Sequence, residues 1–174
     1  GTLVRDGWAP YRKFTLAEHQ TCLAHLLRRC HEMIKDADRG AARFPHALRR
    51  ILLAALLLRD RRARDEISDH GLRVAKGRLA ARFSRLLHGR IAYKPNGTFL
   101  KHLKNEAPHL LTFLGRADVP ATNYRAEQAI RPAVVNRKVW GGNRTWQGAQ
   151  TQQVLASILR TLRQQGRDPY PILE

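Results

Sequence analysis

The sequence predicts an α+β fold that is predominantly helical. One short strand-like run opens it, and apolar residues then recur at helical spacing through most of the chain. Pro and Gly punctuate those stretches where helices are expected to end. At 174 residues with 43% hydrophobic content, the chain is long enough to bury one compact core. Leu3-Val4 followed by Arg5-Asp6-Gly7 predicts a strand that ends at an acidic residue and turns on glycine. Thr15-Leu16-Ala17-Glu18 has the form of a helix capping box, and Leu16, Leu23, Leu26, Leu27, Cys30 and Ile34 follow at helical spacing. Local pattern alone therefore predicts a helix over about 16–35. Residues 46–68 carry a second helical pattern with Pro45 near its start and Arg59, Arg61, Arg62 and Arg64 at its end. A third follows Gly71, with Leu72, Leu79, Phe83, Leu86 and Leu87 in one stripe and Arg73, Lys76, Arg78, Arg82 and Arg85 over the remaining surface. Together these two basic helices resemble an antiparallel hairpin. Lys94-Pro95-Asn96-Gly97 reads as a turn, followed by two short helices interrupted near Pro108. A helix beginning at Thr122 or Asn123 carries Glu127 and is expected to stop or bend at Pro132. Gly141-Gly142-Asn143 reads as a loop. The last helix is predicted from about Gln147 to Gln165, with Val154, Leu155, Ile158, Leu159 and Leu162 as its apolar face and Gly166 as its terminator.

The formal net charge of +18 exceeds what solubility asks of a domain this size and points to a polyanionic partner. Residues 28–90 hold +10 of that excess, against +1 for 1–27, +3 for 91–117 and +4 for 118–174. Most of those central cations are Arg, which grips phosphate through two parallel hydrogen bonds where Lys cannot. Nucleic acid is thus favoured over a membrane, since the longest apolar run, Ile51 to Leu58, is too short to span a bilayer and is flanked by Arg. Cys22 and Cys30 are too few for a disulfide scaffold and suit a reducing, cytoplasmic setting.

Phosphoryl transfer on DNA requires carboxylates on rigid elements, because hard divalent cations take oxygen ligands. Asp6 at a strand end and Glu127 on a helix are candidates, although a turn-capping Asp and a solvated helical Glu fit the same positions. Spacing by four puts Asn123, Glu127 and Arg131 on one helix face, an arrangement that an ordinary Glu–Arg helix pair also satisfies. Arg137, Lys138 and Arg144, with Trp140 and Trp146, set cations and stacking surface beside the glycine loop. That combination suits a DNA end with unpaired bases, with core packing of both Trp as the alternative. Arg61, Arg62, Arg78 and Arg82 on the basic helices are expected to meet phosphates without sequence preference, or to form a solvated cationic face. Cys22, His25, Cys30 and His31 supply four possible zinc ligands, but their spacing matches no standard finger.

Leu3-Val4-Arg5-Asp6-Gly7-Trp8, Cys22-Leu23-Ala24-His25-Leu26-Leu27-Arg28 and the block from Val119 through Gly142 resemble transposases of the insertion sequence sixty-six family, of the Asp-Asp-Glu type. Val119-Pro120-Ala121-Thr122-Asn123-Tyr124-Arg125-Ala126-Glu127-Gln128-Ala129-Ile130-Arg131-Pro132 is similar to the segment that bears the catalytic Glu. Arg137-Lys138 and Gly141-Gly142-Asn143 continue it, and Leu162 through Leu173 resembles the family's ending. The resemblance implies the C-terminal part of a ribonuclease-H-like fold with a helical insertion. Residues 1–35 would be core, 36–118 the basic insertion, and 119–174 the core helix with the catalytic Glu and a terminal helical segment. It also implies a short strand near His19 to Leu23 with the helix starting near Ala24, and this version is preferred to the capping-box helix.

In that reading Asp6 and Glu127 are catalytic ligands of Mg²⁺ or Mn²⁺, while His25 and Arg131 lie at the scissile phosphate. Transposon ends and target DNA are the partners, a homo-oligomer is expected, and the location is the bacterial cytoplasm, associated with the nucleoid. The family pattern also needs a first Asp on an earlier strand, which these residues do not include. The expectation is therefore a fragment with its N-terminal strands missing, inactive alone, whose full enzyme cleaves and joins DNA strands. A non-catalytic DNA-binding module and a transposase-assembly module are the rival readings.

Overall fold

The computed structural model describes residues 1–38 and 40–173. They are mostly helical around a small sheet of two strands, β1 (Thr2–Arg5) and β2 (Glu18–Thr21). The strands run parallel, in a register that pairs Leu3 with His19 and Arg5 with Thr21. Their connection of about a dozen residues, the length a parallel crossover requires, holds only a 3-10 turn at Ala9–Lys13.

β2 corrects the capping-box expectation in favour of the strand that the resemblance implied. Glu18-His19-Gln20-Thr21 has little apolar character of its own, yet His19, Gln20 and Thr21 are all buried. Long-range hydrogen bonds make that burial possible. Gln20 Nε2 donates to the carbonyls of Thr21 (2.7 Å) and Leu110 (3.3 Å), and Gln20 Oε1 accepts from Phe113 N (2.9 Å). Thr112 Oγ1 donates to the His19 carbonyl at 2.8 Å. The helix then begins only after the strand, as α1 (Leu23–Lys35).

Two long helices follow, α2 (Arg43–Ala63) and α3 (Asp69–Leu87), joined by a short link and packed on each other as the expected hairpin. Ser68 caps α3 by accepting from Gly71 N at 3.1 Å. Lys94-Pro95-Asn96-Gly97 is not a turn but the first turn of α4 (Lys94–Glu106). Pro95 is compatible with that position because the first amides of a helix have no intrahelical acceptor. Buried Asn96 fastens the turn by donating to the Ala41 carbonyl at 2.7 Å. A 3-10 turn over Ala107–His109 and the short α5 (Thr112–Gly115) complete this part, with the interruption at Pro108 as expected.

One hydrophobic cluster joins α1 through α5. Leu23, Leu26 and Cys30 meet Leu48, Leu52 and Ala55 of α2, Leu79 and Phe83 of α3, and Phe99 and Leu103 of α4. The chain divides into two compact units, Gly1–Arg125 and Ala126–Glu174, and this cluster belongs to the first.

The second unit holds most of α6 (Tyr124–Trp140), then α7 (Trp146–Gln164) and α8 (Tyr170–Leu173). α6 continues past Pro132, so of the two expected outcomes, a stop or a bend, the stop does not occur. Proline removes one backbone donor, and on a solvent-exposed stretch the orphaned carbonyl can turn to water. Thr145 caps α7 by accepting from Gly148 N at 3.0 Å. Of the predicted apolar face of α7, Leu162 is buried, whereas Val154, Leu155 and Leu159 remain exposed.

Candidate functional site

β1 delivers Asp6 immediately after its last residue. The Asp6 carboxylate is exposed and accepts from Trp8 N at 2.9 Å through Oδ1, closing a tight local turn. Gly7 turns with φ +91°, and a Cβ there would stand 3.0 Å from the His102 ring. Both its left-handed backbone and its close neighbour therefore call for glycine.

Behind Asp6 lies a buried polar network that sequence reasoning missed. Arg5 is 2% exposed and Glu106 is 0% exposed. Arg5 NH1 donates to Glu106 Oε2 at 2.7 Å, Thr21 Oγ1 donates to the same oxygen at 2.7 Å, and Arg12 NH2 donates to Oε1 at 3.0 Å. Arg5 Nε donates to His19 Nδ1 at 3.0 Å, so the His19 proton sits on Nε2 and is donated to the Phe14 carbonyl, also 3.0 Å away. Burial pushes the Glu106 carboxyl up, but the Thr21 and Arg12 hydrogen bonds and the Arg5 charge outweigh it and hold the group below its ordinary value. His102 and His109 border this network, and both are held below the usual imidazole range. For His102 burial is the main cause, partly opposed by Glu106. For His109 burial is followed by the nearby Arg5 charge.

Cys22 is fully buried and ties three segments together. Its backbone N–H donates to the Arg5 carbonyl at 2.7 Å, and its Sγ accepts from Asn123 N at 3.5 Å. Beside it, Leu23 N donates to the Ala121 carbonyl at 2.9 Å. The end of β1, the start of α1 and the residues leading into α6 are thereby joined. His25 sits half-buried in the first turn of α1. Asn123 Oδ1 is a buried acceptor with no partner among the described residues, and such groups are uncommon unless a ligand or water meets them. Glu127 lies in the first turn of α6, where the helix dipole favours a carboxylate.

Among the described residues no group of three or more His, Cys, Asp and Glu is arranged to hold a metal ion. Asp6 and Glu127 each offer the hard oxygen donors that Mg²⁺ or Mn²⁺ prefers. Cys30 is sealed in the core, and burial pushes its thiol up to about 12.

The basic residues divide into two kinds. Arg61 NH2 donates to the Glu66 carbonyl (3.3 Å), while Arg62 NH1 donates to the Leu114 carbonyl (3.4 Å), so both brace the end of α2. Arg78 and Arg82 are exposed on α3. In the second unit Arg131, Arg137, Lys138 and Arg144 are exposed, as are Trp140 at 56% and Trp146 at 79%, which sets aside the alternative that both Trp are core residues.

No described helix is long and apolar enough to cross a membrane. Searches of curated proteins and of solved structures found no match. A family model described as Transposase IS66 family matches residues 1–151, which include Asp6, His25 and Glu127. Matched over most of its length, the chain belongs to the Transposase IS66 family.

Proposed function

We propose that this chain is the part of a DNA transposase that carries the second Asp and the Glu of an Asp-Asp-Glu carboxylate set. Transposition makes DNA the general partner, and the finer assignments are these. Asp6 and Glu127 serve as ligands of Mg²⁺ or Mn²⁺, His25 and Arg131 meet the scissile phosphate, and Asn123 orients DNA at the start of α6. The cation, when bound, supplies charge stabilisation for phosphoryl transfer. The family match carries the reading because it spans both carboxylates. The hydrogen bond that Cys22 N donates to the Arg5 carbonyl and the one that Cys22 Sγ accepts from Asn123 N support it, since they join the strand end bearing Asp6 to the segment leading into the helix of Glu127.

The parallel pair β1 and β2 with helices after it suits the C-terminal part of a ribonuclease-H-like core, residues 36–118 being the basic insertion. DNA strands lie along Arg78 and Arg82 through phosphate contacts, and the intact enzyme works as a homo-oligomer on transposon ends and target in the bacterial nucleoid. In this reading the chain alone binds DNA but neither cleaves nor joins it, because Asp6 and Glu127 are two of the three carboxylates that an Asp-Asp-Glu set requires.

The test is incubation with Mg²⁺ or Mn²⁺ and transposon-end DNA, with binding and strand cleavage both read. Salt-sensitive binding without cleavage is expected. Cleavage that disappears in Glu127→Gln would overturn the inactivity, and absence of DNA binding would overturn the whole reading. The net charge of +18, with +10 of it in residues 28–90, also favours a second reading, a non-catalytic DNA-binding module. In that case Asp6→Asn and Glu127→Gln leave the activity of the full transposase unchanged.

A further inference from the structure

Between α6 and α7, within the second unit, lies a cleft of about 350 Å³. That is at the small end of the range occupied by ligand sites, about 300–1,000 Å³. Its α6 wall carries Arg137 and Trp140, three residues apart and so on one helix face. Its α7 wall carries Gln152 and Gln153, and the loop contributes Gly142 and Asn143. The space exists because the positions between these polar groups are alanines, Ala133 on one helix and Ala149 and Ala156 on the other. Asn143 Nδ2 donates to Gln152 Oε1 and ties the loop to α7, while the Asn143 carbonyl oxygen and the Gln152 amide N–H groups retain hydrogen-bonding capacity. Gly142, at φ +91°, folds the loop back against the aliphatic stem of Arg137.

The surroundings select the ligand's charge. From Gln128 through Arg167 the sequence has no Asp or Glu and seven Arg or Lys. An exposed indole, a guanidinium on the same helix face and a set of amide groups together match the three parts of a nucleotide. The base stacks on the ring, the phosphate pairs with Arg, and the base edge meets the amides.

We infer that this cleft receives one unpaired nucleotide of DNA, its base stacked on Trp140 and its phosphate held by Arg137. The inference rests on the proposed DNA-binding role and adds to it a built site for a base outside the duplex. A paired base cannot enter, so the site distinguishes frayed or tailed ends from continuous duplex.

The test measures binding of the 174-residue chain to two fluorescent duplexes at matched salt, one blunt and one with a short unpaired extension containing 2-aminopurine. The extension is expected to tighten binding on the order of tenfold, the scale of one base stacked on an aromatic side chain, and 2-aminopurine fluorescence should drop. Trp140→Ala should erase that difference with helicity unchanged, while Trp140→Phe should retain it. Gln153→Trp, which fills the cleft from the opposite wall, should erase it independently. Equal affinity for both duplexes, or a preference that survives Trp140→Ala and Gln153→Trp, overturns the inference while leaving the DNA-binding role intact. Failure to bind either duplex removes both.

Discussion

Replacing Glu106 tests whether the end of β1 is held from inside the first unit. The carboxylate is fully buried and receives hydrogen bonds from Arg5, Thr21 and Arg12 at 2.7, 2.7 and 3.0 Å. Glu106→Ala leaves the buried Arg5 guanidinium, 2.7 Å from its lost partner, without a counter-charge, a change that costs about 3–5 kcal/mol. Glu106→Gln keeps one acceptor oxygen and loses the charge-assisted part, so about 1.5–3 kcal/mol is expected. Against a typical domain stability of about 5–15 kcal/mol, the first change lowers the melting temperature by roughly 10 °C or more. Paired replacement by Arg5→Met and Glu106→Leu should cost less than Glu106→Ala alone, because no charge is then left buried. Urea unfolding of the four proteins measures these differences. The folded-state Glu106 carboxyl titrates below its ordinary value of 4.5, so its contribution is complete above that pH and fades as pH falls through the lower folded value. Glu106→Gln should remove that acid dependence. A loss under about 1 kcal/mol in Glu106→Ala, or a double replacement as damaging as the single one, would refute the network as the anchor of β1.

The same physics makes further predictions. His102 and His109 titrate below 6.5 in the folded chain, so below that pH the unfolded state takes up more protons and stability declines. Melting temperatures at pH 7.5 and 5.5 should show the decline, and His102→Gln with His109→Gln should flatten it. Gly7→Ala, strained at φ +91° and pressed on the His102 ring at 3.0 Å, should cost about 1–3 kcal/mol in urea unfolding. Leu52→Ala, 1% exposed in the core cluster, should cost about 2–5 kcal/mol. Cys30, with its thiol pushed up to about 12, should resist a thiol reagent at pH 8 until the protein is denatured, when labelling becomes complete.

Much of this protein is legible in its residues alone. Leu3-Val4 ahead of Asp6, the basic pair α2 and α3, the break at Pro108 and the last helix all follow from spacing and punctuation, because those signals act over a few residues. The family, too, was readable from the Asp6 and Glu127 blocks, and the match over residues 1–151 agrees. Two local readings gave way: Thr15 to Glu18 does not cap a helix, and Lys94-Pro95-Asn96-Gly97 opens one. At Pro132, where a stop or a bend is expected, the helix does not stop.

Sequence by itself determined where the charge lies, which stretches are amphipathic and which acidic residues sit in family-like surroundings. Each of those is a property of neighbours along the chain. Tertiary structure alone decided that Glu18 to Thr21 is a strand and that Arg5 and Glu106, 101 residues apart, share a buried ion pair. A polar segment goes inside only if distant groups satisfy its hydrogen bonds, and those partners, Leu110, Thr112 and Phe113 for β2 and Glu106 for Arg5, come together only when the chain has folded.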